Sequence, residues 1–171
     1  MNKTVIIYKS STGFAEKYAG WLSEELQCDI KSFENRNDID FSDYETVIYG
    51  GGIYAGSING ITWFKSKLPE LQGKKVIVYA TGAMPPDAPE AKETIAKNLT
   101  ETEAAQVEFF YFHSGLSYEK MGFKHKLMMK MFCKILKKSN PETYQVLSAS
   151  FDHTSREDLK PLIDYVGLES R

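Results

Sequence analysis

Ser10, Ser11, Thr12 and Gly13 stand between an apolar run, Val5 to Tyr8, and a helical pattern that begins at Phe14. A strand that feeds a helix through so tight a turn leaves backbone N–H groups unpaired at the helix start, with the positive end of the helix dipole aimed at them. Three hydroxyls and these amides suit a single terminal phosphate bound by neutral donors. The glycine fingerprint of a dinucleotide fold, G-x-G-x-x-G, is missing, and so is the Gly-Lys-Ser/Thr ending of a nucleoside triphosphatase loop. A second reading stands beside this one: serine and threonine also gather at helix starts simply to cap them.

Two further segments have an unusual composition. Gly50-Gly51-Gly52-Ile53-Tyr54-Ala55-Gly56-Ser57 holds four glycines and an aromatic ring. Glycine permits close backbone approach to a flat ligand, and Tyr54 offers a ring to stack on a planar heterocycle; the plainer reading is a flexible turn with a surface tyrosine. Thr81-Gly82-Ala83-Met84-Pro85-Pro86 is a stiff loop of small residues, equally suited to a connection or a site.

The elements that must position these segments follow from periodicity. Thr4–Tyr8, Cys28–Phe33, Glu45–Tyr49, Lys75–Ala80 and Gln106–Phe112 read as strands, the first nearly all apolar as expected for a strand buried on both faces. Gly13–Leu26, Ser57–Leu68, Pro86–Leu99 and Ser155–Val166 read as helices, the last capped by Thr154 or Ser155. Strands alternating with helices predict a parallel sheet covered on both faces. In such sheets ligands bind beyond the carboxyl ends of the strands, and all three unusual segments leave those ends.

The bulk properties narrow the class. The chain has 171 residues, 42% apolar and 26% charged, with a net charge of −2, which predicts one globular domain that is not a nucleic-acid binder. Cys28 and Cys133 stand alone, and no secretory signal or apolar run of membrane-spanning length is seen, so a cytoplasmic protein with reduced thiols is expected. His113, His125 and His153 have no ligand-spaced acid or cysteine, so no metal site is expected. Without a partnered histidine or a G-x-S-x-G elbow, Ser10 and Ser11 do not read as hydrolytic nucleophiles.

Tyr8-Lys-Ser-Ser-Thr-Gly-Phe-Ala15 resembles the phosphate loop of the flavodoxin family, Ser/Thr-x-Thr-Gly-x-Thr. Ser10, Thr12 and Gly13 match; Ala15 replaces the final threonine, and Lys9 stands where a small residue is usual, either lending charge to the phosphate or pointing to solvent. The resemblance implies an α/β flavodoxin-like three-layer sandwich with a five-stranded parallel sheet in the order 2-1-3-4-5, binding FMN non-covalently. By that similarity the cofactor contacts fall on Ser10, Ser11, Thr12, Gly13, Phe14 and Ala15, then Gly52, Ile53, Tyr54, Ala55 and Gly56, then Thr81, Gly82, Ala83 and Met84, with Tyr54 over the isoalloxazine ring. Few carboxylates stand near these loops, Asp87 being the nearest.

Residues 113–151 fall outside the resemblance and read as an insertion before the last helix. His113–Asn140 contains seven lysines and one acid. At about 100° per residue, Lys126, Lys130, Lys134 and Lys137 share one face, and Met121, Met128, Met131, Phe132 and Ile135 the opposite one. Either the methionine face packs on the domain, or the helix meets a partner or, peripherally, an anionic membrane. The stretch Gly115–Met131 is similar to the insertion of menaquinone-dependent protoporphyrinogen IX dehydrogenases, long flavodoxin-like proteins that pass electrons to quinone. That similarity implies a quinone or a redox protein as partner; a flavin-free binding module on the same scaffold is the remaining alternative.

Overall fold

The computed structural model describes residues 3–168. Five strands form the central parallel sheet: β1 (Thr4–Lys9), β2 (Asp29–Ser32), β3 (Thr46–Tyr54), and further on β5 (Lys75–Gly82) and β6 (Glu108–His113). Their spatial order is β2-β1-β3-β5-β6, so the five long strands lie in the expected order 2-1-3-4-5. A two-residue strand, β4 (Ser57–Ile58), turns back antiparallel on the end of β3 and was not legible in the sequence.

Alternation along each strand divides the apolar residues between two cores. Val5, Ile7, Val47, Tyr49, Val76 and Val78 face α2 (Ile61–Lys67) together with Phe64 and Leu68. Ile6, Ile48, Ile77 and Tyr79 face α1 (Phe14–Leu26) and, near the C-terminus, α8 (Lys160–Gly167) through Tyr18, Leu22, Leu159 and Leu162. The result is the α/β flavodoxin-like three-layer arrangement. Its loops beyond β1, β3 and β5 meet at one edge.

Several boundaries differ from the periodicity. The helix expected over Ser57–Leu68 starts only at Ile61, because Ser57 and Ile58 are used by β4 and Gly60 holds a positive φ of 74° just before the helix. Pro86–Leu99 forms two short helices, α3 (Pro89–Lys92) and α4 (Thr94–Asn98), followed by α5 (Glu101–Ala104) with a Thr100–Glu103 capping box. Ser155 does cap, accepting from the Glu157 N–H, but it caps a 3-10 turn that runs into α8.

The insertion leaves and rejoins the sheet at one place. β7 (Gly115–Leu116) pairs antiparallel with β8 (Phe151–Asp152), stapling its two ends. Between them lie α6 (Phe123–Ser139) and α7 (Pro141–Leu147). Asn140 explains α7: its side chain accepts from the Thr143 N–H, and Pro141 fits the first turn. The face of α6 that packs is Met129, Cys133 and Leu136, with Leu147 and Tyr144 of α7. Of the methionine side, for which packing and a free face were both open, Met121 ahead of the helix is buried, whereas Met128, Met131, Phe132 and Ile135 are exposed.

Candidate functional site

A cavity of about 730 Å³ opens at the carboxyl edge of the sheet. Fourteen of the fifteen residues singled out in the sequence line it, from Ser10, Ser11, Thr12, Phe14 and Ala15 through Gly52–Gly56 to Thr81–Met84. Gly13 is the exception. It sits at the helix cap with φ +96°, a backbone that glycine adopts without strain, and faces a second hollow of about 530 Å³ outside the loop. There the ammonium of Lys120, from the insertion, lies 3.4 Å from where a Gly13 Cβ would stand.

The phosphate-loop end is held from beneath. Ser10 Oγ accepts from the Gly13 N–H at 3.0 Å, which closes the turn and leaves the hydroxyl proton free to donate. Ser11 Oγ accepts from Asn59 Nδ2 at 2.8 Å, tying the loop to the segment after β4. Tyr79, fully buried in β5, donates its hydroxyl to the Ala15 carbonyl at 2.8 Å. Burial keeps that phenol protonated well above its ordinary range, so it remains a donor. Lys9 turns away: its ammonium lies 4.3 Å from the centre of the Phe33 ring, so it lends the loop no charge.

The glycine-rich segment is not the loop that was expected. Gly50, Gly51 and Gly52 belong to β3 itself, paired to β5 through Gly50–Tyr79, Gly51–Ala80 and Gly52–Thr81. A Cβ on Gly50 would stand 1.9 Å from the Tyr79 ring, and one on Gly51 2.7 Å from the Asn59 carbonyl. Those two glycines admit neighbouring protein atoms, not a ligand. Gly52 alone of the three lines the cavity.

The turn that follows is latched by a residue with no sequence signal. Asn98, buried at the end of α4, accepts from the Ile58 N–H at 2.8 Å and donates to the Gly56 and Thr94 carbonyls at 2.9 Å each. Tyr111 of β6 does the same for the third segment, donating to the Met84 carbonyl at 2.7 Å while filling the space beside Gly82. Both residues look unremarkable in sequence, because their role depends on a strand and a helix far along the chain.

The far wall comes from the insertion. Tyr54 meets His125 edge to face, ring centres 4.4 Å apart, and its hydroxyl points at Met128 Sδ at 3.6 Å. Burial pushes the His125 imidazole below its ordinary pKa, so near neutrality the ring is uncharged and packs as an aromatic. Met128, Met129, Phe132 and Leu147 make this end apolar. Among the described residues Glu90, not Asp87, is the carboxylate that lines the cavity. The three histidines behave unalike: His113 and His153 lie ring to ring at 4.9 Å, away from His125.

These features fit FMN. One end of the cavity offers backbone amides and hydroxyls at the start of a thirteen-residue helix; the middle offers an aromatic ring between small residues; among the described residues Glu90 alone adds a carboxylate to the lining. Residues 5–143 match the family described as "Flavodoxin domain", and the chain belongs to the flavodoxin family. The match runs through most of the insertion. Family membership supports FMN as the cofactor. No curated protein matches the chain.

Solved structures similar to this chain include a flavoprotein in complex with FMN from Lactobacillus acidophilus (15% identity, 66% of this chain and 93% of that one, TM-score 0.46). A flavodoxin from the domain Archaea matches at 16% identity, 84% and 99% coverage and TM-score 0.41. The Trp repressor binding protein of Bacillus subtilis matches at 14% identity, 66% and 83% coverage and TM-score 0.49. Among the described residues no helix is long and apolar enough to cross a membrane.

Proposed function

We propose that this protein is an FMN-dependent oxidoreductase whose electron partner is a flat, apolar molecule of the quinone class. The observation that carries the reading is the composition of the cavity along its length: hydroxyls and amides at the Ser10–Ala15 end, methionine, phenylalanine and leucine from the insertion at the other. FMN, when bound, supplies one- and two-electron transfer by itself, so no side chain is required as an acid or base.

The chain's own residues bind and orient. Ser10, Ser11 and Thr12 with the α1 amides would hold the phosphate, and Tyr54 would offer its ring face to the flavin. Gly52, Ala55 and Ala83 leave room for the flavin's edges. His125 and Met128 hold Tyr54 in place through the contacts already described. Met128, Phe132 and Leu147 keep water from the far end and give an apolar partner a surface to lie on.

The purified protein should be yellow and release FMN on heating. Its reduced flavin should be reoxidised anaerobically by the quinone menadione, with the rate falling when Leu147→Asp polarises the apolar wall. A colourless protein that ignores added FMN would overturn the cofactor reading, and a reduced flavin indifferent to quinones would overturn the partner reading.

A narrower reading rests on the similarity of Gly115–Met131 to the insertion of menaquinone-dependent protoporphyrinogen IX dehydrogenases: the donor would be protoporphyrinogen IX, oxidised at the expense of quinone. The supporting observation is that Gly115, Leu116, Met121 and Met128 of this stretch all line the cavity. Porphyrin fluorescence developing on incubation with protoporphyrinogen and a quinone under nitrogen would support it; no fluorescence above the enzyme-free rate with any quinone would reject it.

A further inference from the structure

The outward face of α6 is the least explained surface of the molecule. At about 100° per residue, Phe123, Lys134, Leu127, Lys138, Met131, Lys124 and Ile135 follow one another around a single arc of roughly 120°. Every one of them is exposed, and the apolar members strongly so: Phe123 83%, Ile135 64%, Met131 62% and Leu127 49%. The opposite side of the helix, Met129, Cys133 and Leu136, is the one that packs. The exposed arc is therefore not core left over from a badly placed helix; the core face is already used.

We infer that this arc docks the protein onto an anionic lipid surface, with α6 lying in the plane of the headgroups. Charge complementarity selects the occupant. α6 carries six lysines and no acid in a chain whose net charge is −2, so the rest of the molecule is acidic and would be turned away from such a surface while α6 is drawn in. The interleaving of lysine and apolar residues fits the same occupant. Long lysine stems lie along the apolar surface with their ammonium groups at headgroup level, while Phe123, Met131 and Ile135 enter the acyl boundary. A second copy of this chain is a poor occupant, because two such faces, with three lysines each, would bring six ammonium groups together.

Docking in this orientation has a consequence for the cavity. Met128 and Phe132 lie on the flank of the same arc; both are exposed and both line the cavity. The apolar end of the cavity would then open beside the lipid, where a lipophilic electron carrier resides. This consequence rests on the proposed redox role; the docking does not.

The test is co-sedimentation of the intact flavoprotein with vesicles of phosphatidylcholine alone and of phosphatidylcholine with phosphatidylglycerol. Binding is expected to the second and not the first, and to fade with added salt. Each lysine near an anionic surface is worth about 1 kcal/mol, so Lys134→Gln with Lys138→Gln should weaken partition roughly 30-fold. Phe123→Trp should give a blue-shifted emission on anionic vesicles that lipids brominated along the acyl chain quench.

Binding indifferent to lipid charge, or no binding, overturns the inference. So does concentration-dependent dimerisation abolished by Met131→Ser and Ile135→Ser, which would make a second copy the occupant, or retention only by an acidic protein. Flavin absorbance of the same samples reports separately on the redox reading: colourless protein that still partitions would leave the docking standing and the redox role fallen.

Discussion

The two ends of the cavity are held by opposite means. The Ser10–Ala15 end rests on the interior of the sheet: Tyr79 lies against Gly50 without a Cβ between them and bonds to Ala15, and everything beneath is buried. The insertion end rests on the rim. Its own core is the small cluster of Cys133, Leu136 and Leu147, its ends are stapled by two pairs of residues, and its charged tie, Lys17 to Asp152 at 2.9 Å, is on the surface. The contrast teaches that one end is preorganised by packing that the whole fold depends on, whereas the other can loosen without unfolding the sheet.

The largest test of that contrast is Gly50→Ala. Its Cβ would meet a buried ring at 1.9 Å, so stability should fall by about 3 kcal/mol or more, with FMN lost as well. Gly122→Ala, where nothing lies within 4 Å, should stay within about 0.5 kcal/mol. Urea denaturation measures both, and similar losses would erase the distinction.

Leu136→Ala removes a large part of the insertion's core. A cost of about 2 to 3 kcal/mol is expected, read in hydrogen exchange as faster exchange across α6 and α7 with β1, β3 and β5 still protected. Uniform loss of protection would show that the insertion and the sheet are one cooperative unit.

Tyr79→Phe leaves the Ala15 carbonyl without its buried donor. About 1 to 2 kcal/mol of stability should go, and FMN affinity should drop roughly tenfold as the loop loosens, measured by flavin fluorescence titration. An unchanged affinity would mean that the loop is shaped by its own turn alone.

The smallest effect is in acid. Burial alone would raise the Asp152 carboxyl, but the bonds from Thr154 and Lys17 prevail and hold it at about 2. A carboxyl depressed on folding stabilises above its unfolded pKa, about 3.9, and that contribution is lost as pH falls toward 2. Between those values the β7–β8 staple should loosen first, seen as faster proteolysis of residues 113–151. Lys17→Met should move the onset to higher pH.

Much of the frame was legible because its signals are local. Alternating buried runs and a helical period specify strands and helices wherever they fall, and hydroxyls before Phe14 mark a helix start whatever lies around it. Hence the five strands could be read from the sequence, while their order came with the family resemblance; fourteen of the fifteen residues singled out fall on one cavity, and the apolar–basic character of residues 113–140 was plain. What escaped were relationships between distant residues. Asn98 and Tyr111 latch two loops across 42 and 27 positions, and nothing near them announces it.

The glycines show the division most clearly. Composition alone marked Gly50–Gly52 as a place where something could come close to the backbone. Only the packed sheet decided that for Gly50 it is the Tyr79 ring and for Gly51 the Asn59 carbonyl, because a missing Cβ is a space whose occupant comes from another strand. In the same way the sequence determined that α6 has a basic and a methionine-rich side. Which side faces inward was decided by the tertiary structure, where Cys133, Leu136 and Met129 of α6 pack with Leu147 against Met84 and Leu116 of distant segments.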